Sequence, residues 1–333
     1  MKSLHVRVVL LLLALLISPN LSAQHYTAIR LNGGHQIAVN GINDSGMSVG
    51  GAGISPRYAL LWSTTGTSHD LGNLGGHFAE AFAINNLGQV VGYSLLADKS
   101  TYHAFLWQSD TGMQDLGSLG GNSLAYAING NAEVVGEFYG NNIDHAFLWT
   151  QAGGMQDLGT LGGSFSRATG INTAGHVVGT STRSDGTIGH AFVWTAQDGM
   201  KELDLGQTAG SQAWAINDSD QIVGAFINPQ DNQYHAFLWS PTTGKQDLGT
   251  LPGVGSFSYA HAVNNSGDVV GISYVIKLGV AKGFSVISRH GGTVQKLGPL
   301  VVPKIGLPRG ATGINASGQI VANGSGAWLL TPQ

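Results

Sequence analysis

The chain is written in short apolar runs bounded by turns rich in Gly and Asn. The clearest run is His103-Ala104-Phe105-Leu106-Trp107. In an extended strand His103, Phe105 and Trp107 project to one face, Ala104 and Leu106 to the other. Both faces are apolar, so both must be covered, and a strand set between two neighbouring sheets meets that need. Around it the second copy of a longer pattern reads Ala83-Ile84-Asn85-Asn86-Leu87-Gly88-Gln89-Val90-Val91-Gly92, then the His-to-Trp run, then Gly112-Met113-Gln114-Asp115-Leu116-Gly117. Four strands follow from it. Strand a ends at Ile-Asn, strand b is Val-Val-Gly, strand c is His-Ala-Phe-Leu-Trp, and strand d is Met-Gln-Asp-Leu-Gly. The Asn-x-x-Gly between a and b suits a type I turn.

The pattern repeats. Asn43, Asn85, Asn129, Asn172, Asn217, Asn264 and Asn315 each follow Ile or Val, at intervals of 42, 44, 43, 45, 47 and 51 residues. Four short antiparallel strands in a repeat of this length predict a propeller blade. The expectation is an all-β, seven-bladed β-propeller of four-stranded antiparallel blades. The seventh copy stops after strand c, at Ala327-Trp328-Leu329-Leu330, and Tyr26 to Leu31 supplies a strand d. Gly34 precedes Ile42 by eight residues, as Gly76 precedes Ile84 and Gly163 precedes Ile171. The N-terminal strand is therefore expected to close the ring within the last blade, leaving no sheet edge open. A β-solenoid, the other architecture for such a repeat, does not explain a split copy.

Composition adds a compartment. Lys2 and Arg7, the apolar run Val8 to Ile17, and Leu21-Ser22-Ala23 read as a secretory signal peptide spanning 1–23, too short to cross a bilayer. Residues 24–333 then form one domain, expected to be exported, periplasmic or extracellular, without a membrane span and monomeric. There is no cysteine, so disulfides and thiolate chemistry are excluded. Of 15 basic residues two fall in the leader, leaving 13 against 19 acidic ones. No basic stripe marks a nucleic-acid binder. The N-x-S sequons at Asn43, Asn217, Asn264 and Asn315 are read as turn chemistry.

The His-Ala-Phe, Leu-Trp, Asp-Leu-Gly, Leu-Gly-Gly and Ile-Asn-x-x-Gly-x-Val-Val-Gly motifs together resemble the HAF family of probable extracellular repeats. Five copies match well. The sixth departs, with Lys282-Gly283-Phe284-Ser285-Val286 in place of the His-to-Trp run, and the seventh with Gly326-Ala327-Trp328-Leu329-Leu330. The resemblance implies export and repetition and no established chemistry.

Candidate chemistry is sparse. His103, His145, His190 and His235 recur on strand c, where successive blades diverge too far to share an ion at the ~2 Å of a metal–nitrogen bond. They are expected to bond the neighbouring d–a loop, and no metal or cofactor is expected. Asp70, Asp115, Asp157, Asp204 and Asp247 recur on the outer strand, where they are expected to cap turns. Trp62, Trp107, Trp149, Trp194 and Trp239 read as a core position, with Val286 and Leu330 replacing them in the last two copies. Gly46-Met47-Ser48-Val49-Gly50 spells a nucleophile elbow but lacks its strand–turn–helix setting.

What remains are the positions where copies disagree. Counting back from each Ile of Ile-Asn, the first and third residues are small. The second is Asn40, Phe82, Tyr126, Thr169, Trp214, His261 or Thr312, and the fourth includes Glu80, Arg167 and Tyr259. Glu80, Phe82, Tyr126, Arg167, Trp214, Tyr259 and His261 are expected to gather at the channel mouth as a ligand site. The expected function is a non-enzymatic binding module for a polysaccharide, peptide or protein. The alternative is a propeller hydrolase or lyase acting on glycans.

Overall fold

The computed structural model describes residues 24–333 except 141, 187, 207, 254, 255, 303, 306 and 308; the expected signal peptide lies outside the described residues. Apart from one 3-10 turn at Gly298–Leu300, every described element is a strand. Among the described residues no helix is long and apolar enough to cross a membrane.

Each copy of the repeat makes one antiparallel sheet. In the third copy Asn122–Ile128, Val134–Gly140, Ile143–Thr150 and Gly154–Asp157 lie side by side in chain order. The fourth, fifth and sixth sheets have the same order, and the first and second touch through a single parallel pair, Arg57 with Phe78. The last sheet takes Ala311–Ile314, Ile320–Asn323 and Ala327–Pro332 from the C-terminal end and Tyr26–Leu31 from the other. Ile29 faces Leu329 and Arg30 faces Trp328 in antiparallel register. A fifth strand, Val301–Val302, pairs in parallel with Tyr26–Leu31 at the edge of this last sheet. The architecture is thus an all-β, propeller-like set of mainly four-stranded antiparallel sheets.

The core lies between sheets rather than at a centre. Val91, Ala104 and Leu106 of the second sheet pack on Ala125, Val134, Phe147 and Trp149 of the third. Val135, Ala146 and Leu148 of the third pack on Ala168, Phe192 and Trp194 of the fourth. Leu31, Ala327 and Leu329 of the last sheet pack on Val39, Leu60 and Trp62 of the first. The two faces of the His-to-Trp strand are therefore both buried, each against a different neighbour.

The repeated Asn binds the sheets in a second way. The side-chain oxygen of Asn129 accepts the N–H groups of Asn131 and Glu133, both at 3.0 Å, and closes the turn. Its Nδ2 donates to the backbone carbonyl of Asn172, the equivalent residue of the next sheet. The same donation runs from Asn43 to Asn85, Asn85 to Asn129, Asn172 to Asn217, Asn217 to Asn264, Asn264 to Asn315, and from Asn315 back to Asn43. All seven are buried.

Strand a carries a bulge at one fixed place. Pairing skips Asn40, Phe82, Tyr126, Thr169, Trp214, His261 and Thr312, the second residue back in each copy. A bulged residue leaves the ladder and its side chain is re-aimed. Beside the bulge, six sheets carry the strand-b glycine against a strand-a carbonyl, while the last carries Ala322 opposite Ala311. A Cβ on Gly136 would lie 1.8 Å from the Leu124 carbonyl oxygen, and one on Gly92 1.9 Å from that of Glu80.

Register corrects the reading of the sixth copy. Val286 faces Gly271 as Phe105 faces Gly92, and Ser288 faces Val269 as Trp107 faces Val90. The His-to-Trp run is therefore replaced by Phe284-Ser285-Val286-Ile287-Ser288. Ser288, not Val286, stands in the Trp position. The hairpin here is longer, with strands Val269–Lys277 and Val280–Ser288, and this moves the match by two residues.

Candidate functional site

The bulges turn the second-back side chains toward the common axis. A cavity of about 630 Å³ opens there, lined by Phe82, Tyr126, Arg167, Trp214 and His261 together with Asn40, Thr169 and Thr312. Trp214 is half-buried, with its ring 5.3 Å from those of both Tyr259 and His261. It is thus a wall of the cavity and not part of an inter-sheet core. A second cavity of about 390 Å³ adjoins through Trp214 and His261 and is lined by Gln212, Tyr234, Tyr259, Tyr274 and Arg309. Tyr259 belongs to that neighbour and not to the axial cavity.

Glu80 departs from expectation. It is buried, accepts from Arg57 Nη2 at 2.6 Å and from Asn40 Nδ2 at 3.1 Å, and also meets Arg57 Nε. A carboxylate so placed is a strut between the first two sheets, not a free group at the mouth. The hydrogen bond to Glu80, and then its charge, outweigh burial and raise the Arg57 pKa.

Arg167 is only partly engaged. Its Nε donates to Glu137 at 2.5 Å, and its side chain remains 43% exposed. Burial pulls its pKa down, but the bond and charge of Glu137 reverse this and leave it raised. Glu137 also accepts from the Tyr126 hydroxyl at 2.7 Å, and Arg167 lies 5.5 Å from the Tyr126 ring centroid. Burial, followed by the Glu137 charge, pushes the Tyr126 pKa upward, so the phenol stays a donor. Tyr93 beside Glu80 is pushed up to about 12 by burial and then by that carboxylate.

Four of the seven bulged residues do structural work. Asn40, Thr169, His261 and Thr312 each bond the backbone carbonyl of the small third-back residue in the next sheet, Ala81, Ala213, Ala311 and Val39, at 2.8 to 2.9 Å. A carbonyl only accepts, so His261 carries its proton on Nδ1. Burial lowers the His261 pKa, which keeps the ring neutral. Phe82, Tyr126 and Trp214 make no such bond and present ring surface instead. Phe82 stacks on Tyr93 at 5.7 Å and leans on Tyr126 at 5.2 Å. The cavity therefore has aromatic walls on two sides, one from the second and third sheets and one from the fifth and sixth.

The strand-c histidines pair with acids of the outer strand in their own sheet, not with the d–a loop. His103 meets Asp115 at 2.8 Å, His145 meets Asp157 and His235 meets Asp247 at 2.9 Å, and His190 meets Glu202 at 3.0 Å. The aspartates also cap the following turn, as Asp115 does for the Gly117 N–H at 2.7 Å. Asp204 caps Gly206 at 3.0 Å while Glu202 takes its histidine. A carboxylate needed both for a turn and for an imidazole leaves the loop to another group. The loop is held by serines: Ser123 Oγ accepts from Ala104 N and donates to Gly117 O.

Glu137, Arg309, Tyr234 and Tyr274 were not singled out from the sequence. Glu137 directly follows the Val-Val-Gly glycine, at a position that reads Tyr93, Thr180, Ala225 and Ile272 elsewhere. That variability, next to a Val-Gly pair kept in six of the seven copies, was a usable signal.

No family model and no curated protein sequence matches the chain. Among solved structures it is similar to TolB from Acinetobacter baumannii, at 12% identity and TM-score 0.48, covering 74% of this chain. The match spans 62% of the TolB chain. It is also similar to a gluconolactonase from Xanthomonas campestris, at 9% identity and TM-score 0.46, covering 94% of this chain and 92% of the other. AofleA from Arthrobotrys oligospora matches at 13% identity and TM-score 0.40, over 88% and 91% of the two chains.

Proposed function

We propose that this chain is an exported, non-enzymatic binding module, a single seven-bladed propeller closed by its N-terminal strand, that takes a glycan or peptide at the axial cavity. Seven inter-sheet cores and the cyclic run of Asn bonds support seven blades and a closed ring. The repeat motifs support membership of the HAF family, and the basic and apolar start of the chain supports export.

One observation carries the binding reading. At three of the seven bulges an aromatic ring occupies the re-aimed position, and these rings surround a cavity wide enough for a sugar ring or a peptide side chain. Ring faces stack on sugars and apolar side chains, and such anchors dominate small interfaces. Glu80 and Glu137, whose partners Asn40, Tyr126 and Arg167 line the cavity, are both held by guanidinium groups. That arrangement favours binding over the acid–base pair a glycan hydrolase or lyase requires.

The test is a glycan and peptide array probed with residues 24–333, followed by titration of any hit. Trp214→Ala should weaken binding by roughly tenfold or more, as loss of a stacking ring of about 1.5 kcal/mol implies. Binding that survives this change unaltered removes the site. Turnover of a bound glycan would return the enzyme reading.

A further inference from the structure

The sixth sheet departs from a pairing that the second to fifth sheets share. In the second to fifth sheets a strand-c histidine meets an outer-strand acid. In the sixth, register puts Phe284 at the histidine position, two residues before Val286. It puts Lys296 at the acid position, because Lys296 faces Val286 as Asp115 faces Phe105. An imidazole–carboxylate pair has become a phenyl ring beside an ammonium.

A second ammonium joins the first. Lys296 Nζ lies 4.2 Å from the Phe284 ring centroid and Lys282 Nζ lies 5.5 Å from it. Among the described residues the lysine that meets a carboxylate is Lys201, with Asp198, and neither of these two. Two exposed cations thus share one ring and no acid, in a protein that is acidic overall. A ring quadrupole attracts a cation but does not neutralise it. Beside them lies a cavity of about 450 Å³, lined by Phe284, Pro299, Ile305 and Leu307. An apolar chamber with charged groups at its rim has the form of a small-molecule site.

We propose that this cavity is a second binding site, distinct from the axial one, for an aryl carboxylate. Its ring seats against Phe284, Ile305 and Leu307, and its anion lies between Lys282 and Lys296. The carboxylate takes the place of the acid that the sixth copy has lost.

The test titrates residues 24–333 with 2-naphthoate and with 2-naphthamide, its neutral near-isostere, by calorimetry at an ionic strength of about 0.01 M, where surface charge is least screened. One equivalent of naphthoate should bind at least about tenfold tighter than the amide, a difference of about 1.4 kcal/mol. The double variant Lys282→Gln, Lys296→Gln should bring naphthoate down to the amide's affinity, and Lys→Arg at both positions should retain it. Both lysines are exposed, so neither change threatens folding. Trp214→Ala should leave naphthoate binding unchanged. Equal affinity for the two probes, no saturable binding, indifference to the double variant, or loss of binding in Trp214→Ala would each overturn the proposal.

Discussion

Replacing Asn129 with alanine tests whether the Asn belt holds the sheets together. Asn129 is buried and its amide makes four bonds. It accepts from the N–H groups of Asn131 and Glu133 and donates to the Asn172 carbonyl, all at 3.0 Å, and it meets Glu133 Oε2 at 2.5 Å. A neutral hydrogen bond contributes about 0.5–1.5 kcal/mol net, and a buried group left unpaired costs about 1–3. Four independent losses would reach about 4 kcal/mol, but the belt borders an open cavity of about 240 Å³ where water can replace some partners. The expected cost of Asn129→Ala is therefore about 2–4 kcal/mol, read as a shift of the urea midpoint at constant slope. Asn129→Asp is the sharper control. It keeps both accepted bonds but sets a carboxylate against the Asn172 carbonyl and the Glu133 carboxylate. It should be worse than alanine at neutral pH and recover as pH falls through the carboxylate range. A cost below about 0.5 kcal/mol, the level of an ordinary surface substitution, would show that the belt is ornament and that packing alone holds the sheets.

Two further outcomes follow from the geometry. Removing residues 24–32 strips the partner strand from Ala327–Pro332 and uncovers Leu329 and Trp62, so the thermal midpoint should fall well below that of the intact chain; an unchanged midpoint would make the segment a dispensable tail. Tyr93, whose pKa burial and Glu80 raise to about 12, is favoured neutral in the fold relative to an unfolded tyrosine near about 10. Its contribution to stability is full below pH ~10 and is lost as pH rises toward the folded value. Tyr93→Phe should therefore delete a late step from the ultraviolet tyrosinate titration, and deletion of an early step would contradict the burial argument.

The repeat was legible because its signals are local. Ile-Asn, Val-Val-Gly and His-Ala-Phe each mark one strand, and their spacing counts the copies. The split copy was legible from Gly34 and its eight-residue distance to Ile42. The bulge was not, because nothing in Ala81-Phe82-Ala83 says that pairing skips the middle residue. Its traces were the free choice of that residue and a strand-b glycine in six of the seven copies, the seventh carrying Ala322. Glu80 was misplaced for a different reason. Its partner Arg57 comes from another sheet, 23 residues earlier, and a single-sheet reading cannot see it. In the sixth copy, matching Phe284 to Phe105 by residue type overrode register, which puts Phe284 where His103 stands.

The bulge position also shows what the aromatic residues displace. Where it is Asn, Thr or His, the side chain bonds the next sheet's carbonyl. Trp214 forgoes that bond, and the carbonyl it would reach by analogy is that of Ala260. Trp214→Thr and Trp214→Val remove the same ring and are nearly equal in shape, so only the hydroxyl separates them. If the position is a stitch given up for recognition, Thr should restore it, as Thr169 does to Ala213 at 2.8 Å. Trp214→Thr should then exceed Trp214→Val in unfolding free energy by about 0.5–1.5 kcal/mol, while both lose ligand binding equally. Equal stability of the two variants would mean that the hydroxyl finds no carbonyl there. Trp214 would then be a local accommodation of the fifth sheet, and the case for a ring placed to meet a ligand would rest on the cavity alone.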